Sequence, residues 1–176
     1  MSYVAVYHVA TPDTPNKVLT HLDDIVATLA EHGVRFARWQ PSPIEKGASD
    51  AQMIAAYQAQ IDRLAYAKVE VSSVTSAQPQ NDPVRAQFLN ERRYSEDHAR
   101  FFIAGQGLIA LHVGGYVYAV RCEKNDLLVI PAGMPHWIDI GENPHFVTLH
   151  LFNTAEGCEA SSTDGEIARC FPGLDD

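Results

Sequence analysis

The sequence predicts a single domain with an all-β core, a small antiparallel barrel, and with helices packed outside it. Three observations carry that expectation. Apolar residues recur at a helical spacing only in the N-terminal half; from residue 91 to 153 the spacing drops to two; and this second stretch is cut into short runs rich in Val, Ile, Leu, Phe and Tyr by "GQG", "GG", "EKND", "PAG" and "GENP". A chain of 176 residues, 46% of them apolar, can bury one sizeable core but not two. The expected organisation is a helix-rich part over 1–90, barrel strands over 91–153 and a tail over 154–176.

The elements follow in order. Leu22, Ile25, Val26 and Leu29 mark one helical face, with Thr20 as the expected N-cap and Gly33 as the stop. "GVRFARWQ" alternates as a strand does. A second helix is expected from Ser49, with Gln52 completing a capping box and Ile54, Tyr57, Ile61 and Leu64 sharing a face. Asp82 before Pro83 reads as an N-cap with proline at the first helical position, which predicts a short helix over 83–90. Between "LIALHV" and "YVYAV", the Gly114-Gly115 pair suits a tight hairpin, because such turns need positive φ. A last short helix is expected in the tail before Pro172.

Charge and cysteine content narrow the function. A net charge of −9, spread along the chain, argues against nucleic acid or an anionic membrane as partner and points to a small molecule. Cys122, Cys158 and Cys170 are odd in number and widely spaced, so they are read as free thiols in a cytoplasmic protein. No segment has the roughly 18 consecutive apolar residues that a spanning helix needs, and "MSYVAVYHVATPD" is not read as a secretory signal.

The chemistry concentrates in two stretches, "ERRYSEDHARFF" and "PAGMPHW". In the second, Pro131, Gly133 and His136 match PxGxxH, a motif of cupin barrels. In the first, cupins carry HxH, a Glu three or four residues on, and a Gly seven further. Gly105 lies seven residues after His98, so His98 stands at the place of the Glu, and Arg92 and Tyr94 stand at the places of the two histidines. With "HGVRFARWQ", "IAAYQAQIDRL", "QFLNE", "LHVG" and "CEKNDLLVIPAGMPHWIDIGENPHF", the chain resembles the acireductone dioxygenase family nearly end to end. The resemblance implies a cupin fold, the double-stranded β-helix or jelly-roll barrel. It also implies an oxidoreductase whose iron or nickel ion is held by His-x-His, a Glu and a later His.

Position by position, only the last of those ligands is kept, as His136, and Arg100 matches an active-site arginine of the family. A guanidinium at position 92 has no lone pair to give a metal. Three readings stay open. A rebuilt metal site could use His98 and His136 with Tyr94 or His150, since neutral imidazoles suit iron, nickel and zinc. A metal-free isomerase or lyase could use Arg92 and Arg100 to hold a carboxylate or enolate, with His98 or His136 moving a proton and Tyr94 donating a hydrogen bond. Or the barrel binds a small molecule without turning it over. Strand alternation puts Phe146, Thr148, His150 and Phe152 on one face, and Arg92, Tyr94, His98, Arg100 and Phe102 are expected to face the barrel interior. Arg93 is read as solvated, Glu96 and Asp97 as turn residues bonding locally, His112 and His145 as hydrogen-bonded structural histidines, and Trp39 and Trp137 as core or pocket-wall aromatics.

Overall fold

The computed structural model describes residues 1–75, 81–155, 161–163 and 165–176. Cys158 lies outside them, while Cys122 is buried and Cys170 exposed, both as free thiols. The strands are β1 (Tyr3–His8), β2 (Lys17–Leu19), β3 (Arg35–Arg38), β4 (Lys68–Thr75), β5 (Arg92–Arg93), β6 (His98–Val113), β7 (Tyr116–Glu123), β8 (Asp126–Ile130), β9 (His136–Asp139), β10 (His145–Phe152) and β11 (Ser161–Ser162). The helices are α1 (Leu22–Ala30), α2 (Asp50–Ala56), α3 (Gln58–Leu64) and α4 (Asn81–Phe88), with a 3-10 turn at Ile167–Cys170 where a last short helix was expected before Pro172.

All pairings are antiparallel, and they form a curled sheet in two halves joined by β6. The first half of β6 pairs with β8 and β10, which carry β3 and β4 on their outer edges. The second half pairs with β7 and β9, and the sheet continues through β1 to β2 on one side and through β5 to β11 on the other. The strand changes partners at Gly105, whose φ is +76° and where a Cβ would fall 1.7 Å from the carbonyl oxygen of His145. Only glycine permits both that backbone conformation and that approach. The β6–β7 hairpin turns at Gly114, also at positive φ, as expected.

The interior between the halves is filled by Val4, Val6, Phe102, Ile109, Leu111, Val120, Ile138 and Phe146, sealed at one side by Ile25 and Leu29 of α1. Alternation sends the intervening residues outward. There α3 covers Phe101, Leu149 and Leu151 with Tyr57 and Ile61, and the 3-10 turn covers Ala5, Tyr7 and Trp137.

Three local expectations change. His21, not Thr20, occupies the N-cap of α1 and gives no side-chain hydrogen bond, so Asp23 and Asp24 in the first turn favour the helix start electrostatically instead. The capping box of Ser49 and Gln52 is present, but the helix it opens breaks at Tyr57 (φ −115°) into α2 and α3. The phenol of Tyr57 is drawn inward, accepting a hydrogen bond from Ser42 N at 3.2 Å and packing 4.7 Å from Phe101, and the backbone kinks to follow it. Finally, α4 starts at Asn81, which puts Asp82 inside the helix rather than at its cap.

Candidate active site

The side chains that sequence reasoning singled out reach one place from different strands. His98 and Arg100 lie two apart on β6 and therefore share a face. His150 of β10 is paired opposite Arg100. His136 opens β9, where it stands across from both Leu111 of β6 and Arg92 of β5. Tyr94 follows β5. The loop "PAGMPHW" is pinned against the 94–97 turn by Gly133 N donating to Tyr94 O at 2.8 Å and Ala132 N donating to the Asp97 carboxylate at 2.7 Å. Asp97 thus bonds across the chain, not locally as expected, and Glu96 likewise accepts from the Thr154 backbone and hydroxyl at 3.2 and 2.9 Å.

The result is a buried cluster of three imidazoles, a phenol and a guanidinium, of which Tyr94 is the most exposed at 8%. Ring centroids stand 4.3 Å apart for Tyr94 and His98, 5.5 Å for Tyr94 and His136, 5.2 Å for His98 and His136, and 5.4 Å for His98 and His150. The Arg100 guanidinium donates to Thr148 Oγ1 at 3.0 Å and lies 5.6 Å over the Phe146 ring. Trp137 points the other way, into the outer core against Phe171, since neighbours on a strand face opposite sides.

Electrostatics keep these imidazoles neutral. Burial first, then the neighbouring His136 and His150 and the Arg100 cation, push His98 down to about 2. Burial and Arg100 also take His150 down to about 2. Burial lowers His136 to about 4, against the opposing pull of the Met134 carbonyl. That carbonyl lies 3.0 Å from His136 Nδ1, so Nδ1 carries the hydrogen in the neutral ring and Nε2 keeps its lone pair. The buried Nδ1 of His98 makes no hydrogen bond among the described residues.

Arg92 departs from expectation. Its backbone is where the register put it, yet its guanidinium turns back to the C-terminal end of α4, donating to Gln87 O and, at 3.3 Å, to Asn90 O, with Phe88 beneath it at 5.8 Å. Among the described residues Gln87 O otherwise accepts only a long turn bond from Asn90 N at 3.4 Å, and a cation at the C-terminal end of a helix satisfies such carbonyls well. Arg93 is exposed, as read. His112 is hydrogen-bonded to Glu91, whereas His145 is exposed. Sequence reasoning missed Glu91 and Asp139, and placed Thr148 on the His150 face without giving it a partner. Nothing in the spacing of Glu91 and Asp139 marks them; each becomes visible only through its contacts with other elements.

For a divalent metal, the donor types fit: three neutral imidazoles with lone pairs, one held in a fixed tautomer by a backbone carbonyl, as metal-binding histidines commonly are. The donor positions do not converge. Among the described residues no three His, Cys, Asp or Glu side chains are arranged so that they could hold an ion as they stand.

A two-part antiparallel barrel with histidines of its PxGxxH loop and facing strands turned into the interior is a cupin. Comparison with known proteins gives the family. The sequence profile of the ARD/ARD' family matches residues 4–160. The chain is 55% identical, over the full length of both, to the acireductone dioxygenase of Pseudomonas savastanoi pv. phaseolicola (strain 1448A / Race 6) and 56% identical to that of Pseudomonas syringae pv. syringae (strain B728a). The chain belongs to the acireductone dioxygenase family. The structure of acireductone dioxygenase from Bacillus anthracis with cadmium ion in its active center superposes with a TM-score of 0.78 at 20% identity, covering 92% of this chain and 98% of that one, and shows the shared fold. Among the described residues no helix is long and apolar enough to cross a membrane.

Proposed function

We propose that this chain is a cytoplasmic dioxygenase-type cupin enzyme with a remodelled active site, acting on a small enediol, diketone or keto acid. The observation that carries the reading is the buried cluster itself. The positions matching the family's ligand motif hold Arg92, Tyr94, His98 and His136, and the structure gathers the last three with His150 and Arg100 instead of leaving small or apolar residues there. His98, His136 and His150 would hold a divalent ion, with Tyr94 as a further donor, once their rings turn about their side-chain torsions. Such an ion supplies Lewis acidity and a site where substrate and oxygen meet.

The chain's own residues supply the rest. Arg100, buried between Phe146 and the histidines, favours an anionic oxygen over a second cation, which selects an enediolate or carboxylate. His136, with Nδ1–H committed to Met134, keeps only Nε2 available, as a ligand or as the acceptor of a substrate proton. Burial by Phe102, Phe146 and Leu111 excludes water from the reacting centre. The chain's acidity disfavours nucleic acid as a partner.

A metal-free acid–base enzyme, an isomerase or lyase, is the second reading. It is favoured by the unconverged donors and by the repulsion between Arg100 and any added positive charge. Elemental analysis of the purified protein separates the two: near-stoichiometric metal, lost in His98→Ala and His136→Ala, is expected on the first. Because three inherited ligands are replaced, acireductone turnover with added iron or nickel is expected to be negligible. Turnover at about 1 per second or faster, the range of ordinary enzymes, overturns the remodelled site. Affinity for a small enediol with no turnover of any tested substrate marks a binding protein.

A further inference from the structure

Glu91 is a buried carboxylate that nothing in the proposed chemistry uses. It immediately precedes Arg92 and is 6% exposed. One oxygen, Oε2, lies 2.7 Å from His112 Nδ1, and the other accepts from Thr163 Oγ1 at 2.5 Å. Thr163 N also donates to the Glu91 carbonyl at 3.2 Å. Each partner stands one residue from the framework of the site. His112 follows Leu111, which pairs with His136 across β6 and β9, and its backbone N donates to Pro135 O at 2.9 Å. Thr163 follows Ser162, which pairs with Arg92 across β11 and β5.

The strand that carries Tyr94 into the cluster needs such an anchor. β5 has two residues and meets β9 at a single register position, Arg92 opposite His136. A ladder that short provides little cross-strand stabilisation of its own, whereas a carboxylate with two side-chain partners fixes three elements at once. Leaving it unpaired in this buried seam would be costly, so the three groups stay together or separate together.

We propose that Glu91 is a positioning residue of the site: clamped between His112 and Thr163, it holds β5 in register against β9 and thereby sets Tyr94 beside His98 and His136. The inference rests on the reading of that cluster as the place of chemistry, but its test does not. The ring contact of Tyr94 with His98 is read by nuclear Overhauser effects between their aromatic protons in the intact chain. In Glu91→Ala this contact is lost while far-ultraviolet circular dichroism and the Phe102–Phe146 contact remain. In Glu91→Gln, whose amide can accept from His112 and donate to Thr163, the contact is retained. Should Glu91→Ala fail to fold, Thr163→Val removes one arm alone, and a several-fold weaker Tyr94–His98 effect is expected. An undiminished contact in Glu91→Ala, or in Thr163→Val where the former does not fold, overturns the proposal. A wild-type protein that neither binds metal nor turns over any substrate, yet loses the ring contact in Glu91→Ala, refutes the functional reading and leaves the positioning role standing.

Discussion

Replacing Asp139 by Asn should destabilise the barrel through one oxygen atom. Asp139, 1% exposed at the end of β9, accepts four hydrogen bonds, two on each oxygen: Arg85 Nε (2.8 Å) and Gly141 N (3.1 Å) on Oδ1, Arg85 Nη2 (3.2 Å) and Leu174 N (2.8 Å) on Oδ2. It thus ties α4 and the C-terminal tail to the strand that opens with His136. Asparagine keeps the shape but turns one acceptor into a donor, so one backbone N–H and one arm of the guanidinium lose their partner. A neutral bond is worth about 1 kcal/mol and one to a charged group about 2 kcal/mol, so the loss is about 3 kcal/mol. For a chain of this size each kcal/mol lowers Tm by about 2–4 °C, which gives about 6–12 °C. The same residue sets a pH signature. Burial works to raise the Asp139 carboxyl, but the hydrogen bonds from Arg85, Leu174 N and Gly141 N outweigh it and hold the group below the usual carboxylate range. A depressed folded-state pKa stabilises fully above the unfolded value of about 3.9 and loses that contribution as pH falls through the folded value. Thermal melts at pH 7 and below pH 4 should therefore show a wide gap between wild type and Asp139→Asn that narrows in acid. A gap under about 2 °C at neutral pH, or one unchanged in acid, refutes the reasoning.

Gly105→Ala should cost about 2–5 kcal/mol in urea unfolding, combining left-handed backbone strain with the clash against His145 O, and a loss under about 1 kcal/mol would show that β6 can change sheets without glycine. Arg92→Ala should lower stability by about 1 kcal/mol through the hydrogen bonds lost to the carbonyls of Gln87 and Asn90. Calorimetry should find its affinity for a small enediol or carboxylate changed by less than about threefold, since Arg100 and not Arg92 faces the cluster. Collapse of affinity with an unchanged melt would return Arg92 to the pocket.

The fold was legible because its signals are local. The change of period near residue 91, the Gly-rich turns and the Ser49 capping box each state their own geometry. The placement of Tyr94, His98, His136 and His150 was legible as well, because strand alternation and motif register fix which way a backbone position faces. Arg92 was not. Alternation assigns a face to its Cβ, but a long cationic side chain goes where acceptors are, and here these were carbonyls at and just past the end of a helix that was expected to run two residues further. Asp97 escaped for the converse reason. A turn-favouring residue type gives no sign that its partner will be Ala132, on the loop that carries His136.

The passage of β6 through both halves of the sheet bears on how the protein folds. At 16 residues it is long enough to template β8 and β10 with one half and β7 and β9 with the other, so neither half owns a complete set of partners. Most of those pairings join distant parts of the sequence, and their entropic cost must be met before either half gains from them. Stripping β10 from β6 would expose the edge on which the other half depends for its curvature at Gly105. Unfolding should therefore be all-or-none, with no surviving half-barrel. His98 and His136 sit on opposite sides of that crossing, so they meet only when both halves have docked. Their proximity therefore appears and disappears with the barrel as a whole, a built-in report of whether the chain has finished folding.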